Sequence, residues 1–302
     1  MENQKRKQEV QINHSILLRC LKPEELPSAD KLRQAAGWNQ TPRDWQRFLS
    51  LDPDGCFAAI DGGEIVGTAT TTSYGRDLAW IGMVLVDPAR RNEGIGRKLL
   101  LHCLDYLQKK GVRCIKLDAT PAGQILYEKL GFQIEFPLMR WERPGNAGAL
   151  EAPPVPDEYV IASMQRGDWE EIFRLDREIS GVDRGSLLAQ LVHDSSDFLV
   201  CRGMDQAVQG VGLLRDGINA HYVGPVMART EKTGVALLQK LLFSASNQRI
   251  FWDIPDPCVP AREWAKNHGF VPQRSLLRMF LGDNISPGFP QQQWAISDPA
   301  TG

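Results

Sequence analysis

The stretch Met83-Val84-Leu85-Val86-Asp87-Pro88-Ala89-Arg90-Arg91-Asn92-Glu93-Gly94-Ile95-Gly96-Arg97-Lys98-Leu99-Leu100 runs from an apolar strand pattern through a turn and an Arg-x-x-Gly-x-Gly segment into a helical pattern. Residues of these types in this order can make an anion site, the alternative being glycines that serve only a tight turn at a helix start. Glycines at 94 and 96 let the backbone approach a ligand closely, and the N–H groups that open a helix point outward with partial positive charge. Arg90, Arg91, Arg97 and Lys98 add positive charge against Asp87 and Glu93. That geometry suits a pyrophosphate. The dinucleotide fingerprint G-x-G-x-x-G fails because Leu99 stands at the third glycine position, and no G-x-x-x-x-G-K-[ST] loop is present, so nucleoside-triphosphate chemistry is disfavoured.

Other reactive side chains form no pattern. His102 falls within the helix after the loop, and His14, His193, His221 and His268 share no ligand spacing. The cysteines Cys20, Cys56, Cys103, Cys114, Cys201 and Cys258 are scattered without a C-x-x-C pair and read as reduced thiols. Cys114 sits in an alternating strand and reads as core. Asp118, at a strand end, is conceivable as a base, but an acid there is more often a helix-capping or solvated group.

The elements around the loop follow from periodicity and punctuation. Residues 16–21 read as a strand, and 29–36 and 41–51 as helices, the second with Thr41 as N-cap and Pro42 at its first position. Residues 56–60 and 64–72 form a hairpin about Asp61-Gly62-Gly63, and 78–86 continues the meander. The helix over 94–110 sets Ile95, Leu99, Leu100, Cys103 and Leu107 on one face and stops at Gly111. Residues 112–118 form a strand. Thr120 and Pro121 open a helix that ends at Gly131, and 132–141 is a final strand.

The segment 143–158, with four prolines and two glycines between residues 143 and 156, reads as a linker. Beyond it the order repeats, with strands over 159–164, 198–202, 207–214, 220–227, 249–254 and 273–281. Helices are expected over 168–178, 186–192, 234–245 and 259–268. The chain therefore reads as a duplication: a first domain over 16–142, a second over 159–282, and a tail over 283–302. The tail is either loose or docked as an edge strand through Trp294-Ala295-Ile296.

Composition agrees with a globular chain. At 302 residues, 42% hydrophobic and 24% charged, it is long enough for two cores. The net charge of -2, which divides as +2 and -4 about residue 142, supplies no field for nucleic acid or a membrane surface. The polar start Met1-Glu2-Asn3-Gln4-Lys5-Arg6-Lys7 lacks a signal-peptide pattern, and no run of about 18 apolar residues occurs. A cytoplasmic location is the expectation.

Val86-Asp87-Pro88 leading into Arg91–Gly96, followed some 31 residues later by Leu126-Tyr127-Glu128-Lys129-Leu130-Gly131-Phe132, resembles the GNAT superfamily of acyl-CoA-dependent N-acetyltransferases. The resemblance covers residues 16–141 and implies an α+β fold: a mixed, mostly antiparallel sheet flanked by helices and split into a V that holds acetyl-CoA as co-substrate. It implies that the backbone of Val84, Leu85 and Val86 pairs with the pantetheine arm. The loop of Arg91, Asn92, Glu93, Gly94, Ile95, Gly96, Arg97 and Lys98 would bind the pyrophosphate. Tyr127 would protonate the leaving thiolate, its alternative being an amphipathic residue packed over its helix. The implied reaction is direct attack by the amine of a small molecule, with no metal. Trp38, Trp45 and Phe48 lie where the family often builds its acceptor wall, although core packing is the commoner fate of aromatics.

The second domain looks similar in architecture but degenerate. Thr230 falls where Arg91 was, Thr233 and Val235 replace the two glycines, and Ala265 stands for Tyr127. Cofactor binding there is in doubt, although Thr233 and Gly234 still leave a helix start. The rival to an enzyme is a non-catalytic acyl-CoA sensor or interaction module.

Overall fold

In the first half, β1 (Leu17–Cys20), β2 (Cys56–Asp61), β3 (Glu64–Tyr74) and β4 (Leu78–Val86) pair as an antiparallel meander. The β2–β3 turn uses Gly62 and Gly63, both at positive φ, where a side chain would be strained. The computed structural model describes residues 16–148, 150, 158–245, 247–285 and 287–302. Helices α1 (Leu26–Ala35) and α2 (Pro42–Leu51) connect β1 to β2. At the start of α2 the Thr41 hydroxyl accepts from the Asp44 N–H, and the Asp44 carboxylate accepts from the Thr41 N–H at 2.6 Å. That reciprocal cap fixes where the helix begins. α3 (Ile95–Lys109) buries Ile95, Leu99, Leu100, Cys103 and Leu107, the face read from the periodicity. β5 (Cys114–Ala119), α4 (Pro121–Lys129) and β6 (Gln133–Arg143) complete the half.

The second half repeats this order through β7 (Tyr159–Ser163), α5 (Trp169–Ser180), α6 (Gly185–His193), β8 (Ser195–Gly203), β9 (Val208–Arg215) and β10 (His221–Ala228). Then come α7 (Glu231–Ser244), β11 (Ile250–Pro255), α8 (Val259–Asn267), β12 (Val271–Gly282) and a short β13 (Gln293–Ala295). The expected linker begins later than residue 143, because Arg143 ends β6 and donates to the carbonyls of Gly148 and His268. Ala149 and residues 151–157 lie outside the described residues.

The two sheets join into one of thirteen strands by exchanging their last strands. β12 of the second half pairs with β5 of the first, and β6 of the first pairs with β11 of the second, with β12 and β6 antiparallel between them. Leu138 and Leu276, equivalent in the duplication, face each other in that central pairing. The pseudo-dyad passes there. Alternation of apolar residues specifies a strand and its buried face but not its partner, so the exchange is invisible to pattern reading. The mixed, mostly antiparallel α+β character stands, and the cores merge too: Tyr74, Leu78, Trp80 and Cys114 pack in one cluster with Ile172, Leu175, Leu187 and Leu191. All six cysteines are free. Among the described residues, no helix is long and apolar enough to cross a membrane.

Candidate active site

β4 and β5 run parallel for three residue pairs, Leu78–Trp80 against Cys114–Lys116, and then part. A bulge drives the parting. Thr68 faces Leu85 and Thr70 faces Gly82, so Met83 and Val84 together oppose Ala69. Met83 sits at φ 48°, unusual for a residue with a side chain, and its carbonyl accepts from the Thr68 hydroxyl at 2.9 Å. Strain of this kind, on the order of 1–3 kcal/mol, collects at functional positions. Beyond Trp80 the edge of β4 toward β5 faces a small, partly open cleft. Its walls are Ile81–Val84 on β4, Leu117 and Asp118 on β5, Thr120 just after it, Trp38 and Gln40 before α2, and Tyr127 on α4.

Tyr127 reaches the cleft by folding back along its own helix. A Cβ placed on Gly123, four residues earlier, would lie 2.8 Å from the ring's Cε2 and 3.3 Å from its hydroxyl. Side chains on a helix lean toward its N-terminus, and only a glycine at 123 lets this ring lie flat there. Burial pushes the phenol up to about 12, with a small addition from Cys103. It is therefore protonated at neutral pH.

The anion loop follows β4. Asp87 caps a short 3-10 turn, Pro88–Arg90, and α3 opens at Ile95 after Asn92 at φ 67° and Gly94 at φ 77°. Among the described residues, the backbone N–H groups of Arg91 to Gly94 have no acceptor in the chain, and those of Ile95, Gly96 and Arg97 open a helix with no carbonyl four residues behind them. Arg91, Arg97 and Lys98 are exposed and make no ion pair there. Arg90 differs: it pairs with Asp61 at 2.5 Å and with Glu93 at 2.9 Å, so its charge is spent within the protein and the Glu93 carboxylate is held with it. The side chains of Leu85 and Ile95 are buried in the core, which leaves only their backbones for a ligand.

The two glycines are there for different reasons. Gly94 adopts a left-handed conformation that side chains resist. Gly96 does not, and a Cβ there would meet only Val86 Cγ2 at 3.6 Å, an ordinary contact. The fold itself would accept alanine at 96.

Asp118 is not free to act as a base. Both of its carboxylate oxygens accept from Arg278 of β12, at 2.9 and 3.0 Å. Burial raises its pKa, with Arg278 opposing that shift. Trp45 and Phe48 are buried in the core and only Trp38 reaches the cleft. Among the described residues, no group of three or more His, Cys, Asp or Glu is placed to hold a metal.

Sequence reading did not name the residues that close the cleft from the other side. Arg274 and Leu276 enter from β12, and Pro299 and Ala300 from the C-terminal segment. That segment is not loose: it docks as a short strand whose one pairing partner among the described residues is β10, as the apolar triplet suggested. β13 pairs with β10, and the chain then runs into the first half, where Trp80 Nε1 donates to the Pro299 carbonyl at 3.0 Å and the Tyr74 hydroxyl donates to the Thr301 carbonyl at 2.7 Å. Ala300 lies so close to Gly82 that a Cβ on the glycine would fall 2.5 Å from the alanine's own. The only signal in the sequence was the apolar triplet Trp294-Ala295-Ile296.

In the second half the equivalent cleft is filled by the same segment. β10 and β11 also pair over three residues before parting, but β13 occupies the parted edge of β10. Trp294 covers the start of α7, where a Cβ on Gly234 would fall 2.0 Å from its ring. The Thr230 hydroxyl accepts from the Thr233 N–H at 3.2 Å. An anion would find that helix start already capped.

Comparison with known proteins gives the same division. Residues 20–132 match the family described as Acetyltransferase (GNAT) family, and residues 172–295 the one described as Acetyltransferase (GNAT) domain. The chain is 26% identical over 180 residues to the uncharacterized N-acetyltransferase YitH of Bacillus subtilis (strain 168), a match spanning 59% of this chain and 61% of that relative's length. It is 23% identical over 253 residues to holothin acyltransferase of Pseudoalteromonas sp. (strain SANK 73390), covering 82% of each. It is 31% identical over 141 residues to the [ribosomal protein bS18]-alanine N-acetyltransferase of Escherichia coli (strain K12), covering 44% of this chain and 90% of that one. A solved tandem GNAT protein from the clavulanic acid biosynthesis pathway superposes with a TM-score of 0.67 at 14% identity, covering 89% of this chain and 98% of that one, a likeness of fold. The chain belongs to the GNAT acetyltransferase family and carries two GNAT domains in tandem.

Proposed function

We propose that the chain is an acetyl-CoA-dependent N-acetyltransferase that acetylates the amine of a small molecule in the cleft of its first half. The reading rests on one juxtaposition: the parted edge of β4 runs from a cavity containing Tyr127 to a loop of unpaired N–H groups. In this reading Arg91, Asn92, Gly94, Gly96, Arg97 and Lys98 bind the pyrophosphate, with Glu93 and Ile95 contributing backbone only. The backbone of Val84–Val86 takes the pantetheine. The functional units are residues 16–143 as catalytic domain and 159–282 as its diverged partner, with the C-terminal segment after β12 closing both clefts through residues 293–302.

In the transfer, the lone pair of the neutral amine attacks the thioester carbon and the N–C bond forms. The C–S bond then breaks with its electron pair on sulfur. Tyr127 gives its proton to that thiolate, the amine releases its surplus proton to water, and the phenolate is reprotonated from solvent. A phenol near 12 is a weak donor toward an ordinary thiolate of about 8.5. Burial narrows the gap, because desolvation penalises a thiolate in the same cleft as it does the phenolate.

Calorimetry with acetyl-CoA, and thiol release on a panel of amines, test the reading. Tyr127→Phe is expected to lower kcat by one to two orders of magnitude (roughly 10²-fold is typical of such acids) while leaving acetyl-CoA affinity unchanged. An unchanged kcat removes the tyrosine from the mechanism. Because Asp118 is tied to Arg278, the cleft offers no obvious base, and this favours the rival reading of an acyl-CoA-binding module. Binding without release from any amine would establish that rival.

A further inference from the structure

Two polar groups on the wall of the cleft lack partners. Arg274, reaching in from β12, makes no hydrogen bond or ion pair among the described residues, and its Nε is sealed from solvent. Gln40 donates from Nε2 to both carboxylate oxygens of Asp298, at 3.2 and 3.1 Å. This fixes the orientation of its amide and leaves Oε1 buried and unpartnered. A half-buried guanidinium whose Nε is sealed off and a buried carbonyl, both without partners, are each costly, and a site that holds both is shaped for a ligand that supplies an anion and an N–H.

The charges around Arg274 are already committed. Asp253 receives Arg140 at 2.8 and 2.5 Å and the Tyr222 hydroxyl at 3.0 Å. Asp118 receives Arg278, and Asp298 receives Gln40 and the Ala300 N–H at 2.7 Å. Burial and the like charge of Arg140 lower the Arg274 pKa to about 10, with Asp253 and Asp298 opposing, so at neutral pH it remains a cation. With Arg140 and Arg278 already paired to Asp253 and Asp118, the single uncommitted guanidinium of Arg274 balances one negative charge better than a dianion. Its planar fork matches a carboxylate.

We infer that the acceptor is a small amine bearing its own carboxylate, held by Arg274 through the carboxylate and by Gln40 Oε1 through the amine. This inference rests on the transferase reading above and adds the substrate class. It also gives the second half a function: Arg274 belongs to the exchanged strand, so the acceptor pocket of the first half is incomplete without its partner. Pro299 and Ala300 form the wall that limits the length of the acceptor.

The test compares matched acceptors: an amino acid, its carboxamide, the corresponding amine without a carboxyl group, and the phosphate ester of the corresponding amino alcohol. For the wild-type protein the amino acid is expected to show a KM at least tenfold below that of the carboxamide. Arg274→Gln is expected to erase the difference by raising only the amino acid's KM, leaving the KM of the amine without a carboxyl group and acetyl-CoA affinity unchanged, and Arg274→Lys is expected to restore part of it. Equal discrimination by wild type and Arg274→Gln overturns the inference, as does preference for the phosphate ester. If no amine releases thiol, the transferase reading fails on its own, and calorimetric titration of the same compounds still decides this one. Carboxylate binding that is lost in Arg274→Gln supports it; equal binding, or none by wild type, overturns it.

Discussion

Asp118 of β5 and Arg278 of β12 form a buried two-pronged ion pair across the exchanged strands, and the duplication repeats it as Asp253 of β11 with Arg140 of β6. Arg140 and Arg278 occupy equivalent places, in Leu138-Met139-Arg140-Trp141 and Leu276-Leu277-Arg278-Met279. Each half thus supplies an arginine to the other's aspartate. Removing one partner strands a buried charge, so Arg278→Met or Arg140→Met is expected to cost about 3–5 kcal/mol, read from urea unfolding midpoints. Replacing both members of a pair by apolar residues of similar volume is expected to recover most of that loss.

The two aspartates have opposite linkage to pH. For Asp253, burial raises the pKa, but the charge and hydrogen bonds of Arg140 outweigh it and the net shift is downward. Its contribution to stability is present above the unfolded value of about 3.9 and is lost as pH falls through the folded value. For Asp118 burial dominates and the net shift is upward, so the folded state binds the proton first and stability falls as pH rises between the two values. Asp253→Asn is therefore expected to flatten the acid limb of a stability–pH curve, and Asp118→Asn to steepen it. Equal slopes would refute the assignment.

Gly123 and Tyr127 provide a test in which stability and activity respond differently. Alanine at 123 raises helix propensity by roughly 0.8–1 kcal/mol but pushes its Cβ against the Tyr127 ring. Gly123→Ala is expected to leave the melting temperature within a few degrees while kcat falls by about an order of magnitude, in the direction of Tyr127→Phe. An unimpaired kcat would show that the orientation of the ring does not matter.

Most elements were legible because their signals are local. Thr41-Pro42 with Asp44, the stripe from Ile95 to Leu107, and Gly111 each act within a few residues. The turn after β4, the glycine at 94 and the start of α3 were legible for the same reason. Strand partnership is settled by tertiary packing, so the swap of β6 with β12 left no readable trace, and the return of residues 293–302 into two clefts left only the apolar triplet Trp294-Ala295-Ile296. Arg274 and Gln40 fell outside the reading because a polar side chain in a strand or loop ordinarily faces water. Only the cavity shows that Gln40 is buried and that the Nε of Arg274 is sealed from solvent.

The loop glycines separate a conformational need from a ligand's need. Gly94→Ala is expected to destabilise the fold by about 1 kcal/mol, because φ 77° is unfavourable for a residue with a side chain. Gly96→Ala is expected to leave stability within about 0.5 kcal/mol, since its Cβ meets only Val86 at 3.6 Å, yet to weaken acetyl-CoA tenfold or more by calorimetry. If both substitutions alter only stability, the loop is a turn and not a phosphate cradle.

One acetyl-CoA is expected per chain. The second cleft has the parted strands of the first, but β13 lies along β10, Trp294 sits on Gly234 and Thr230 caps α7. A calorimetric stoichiometry near one in wild type, abolished rather than halved by Arg91→Ala combined with Gly96→Ala, would assign the bound molecule to the first half. Trp294→Ala does not simply open a second site. That indole is almost wholly buried, and its Trp252 neighbour donates from Nε1 to the Trp294 carbonyl at 2.8 Å. Truncation of such a side chain is expected to cost about 3–5 kcal/mol. The residues after it set the wall at Pro299 and Ala300 in the other cleft, so at a temperature where the variant stays folded, acceptor KM should rise while the stoichiometry remains one. A stoichiometry of two in wild type would mean that β13 yields to the cofactor, and that the C-terminal segment is a displaceable occupant rather than a fixed part of both sites.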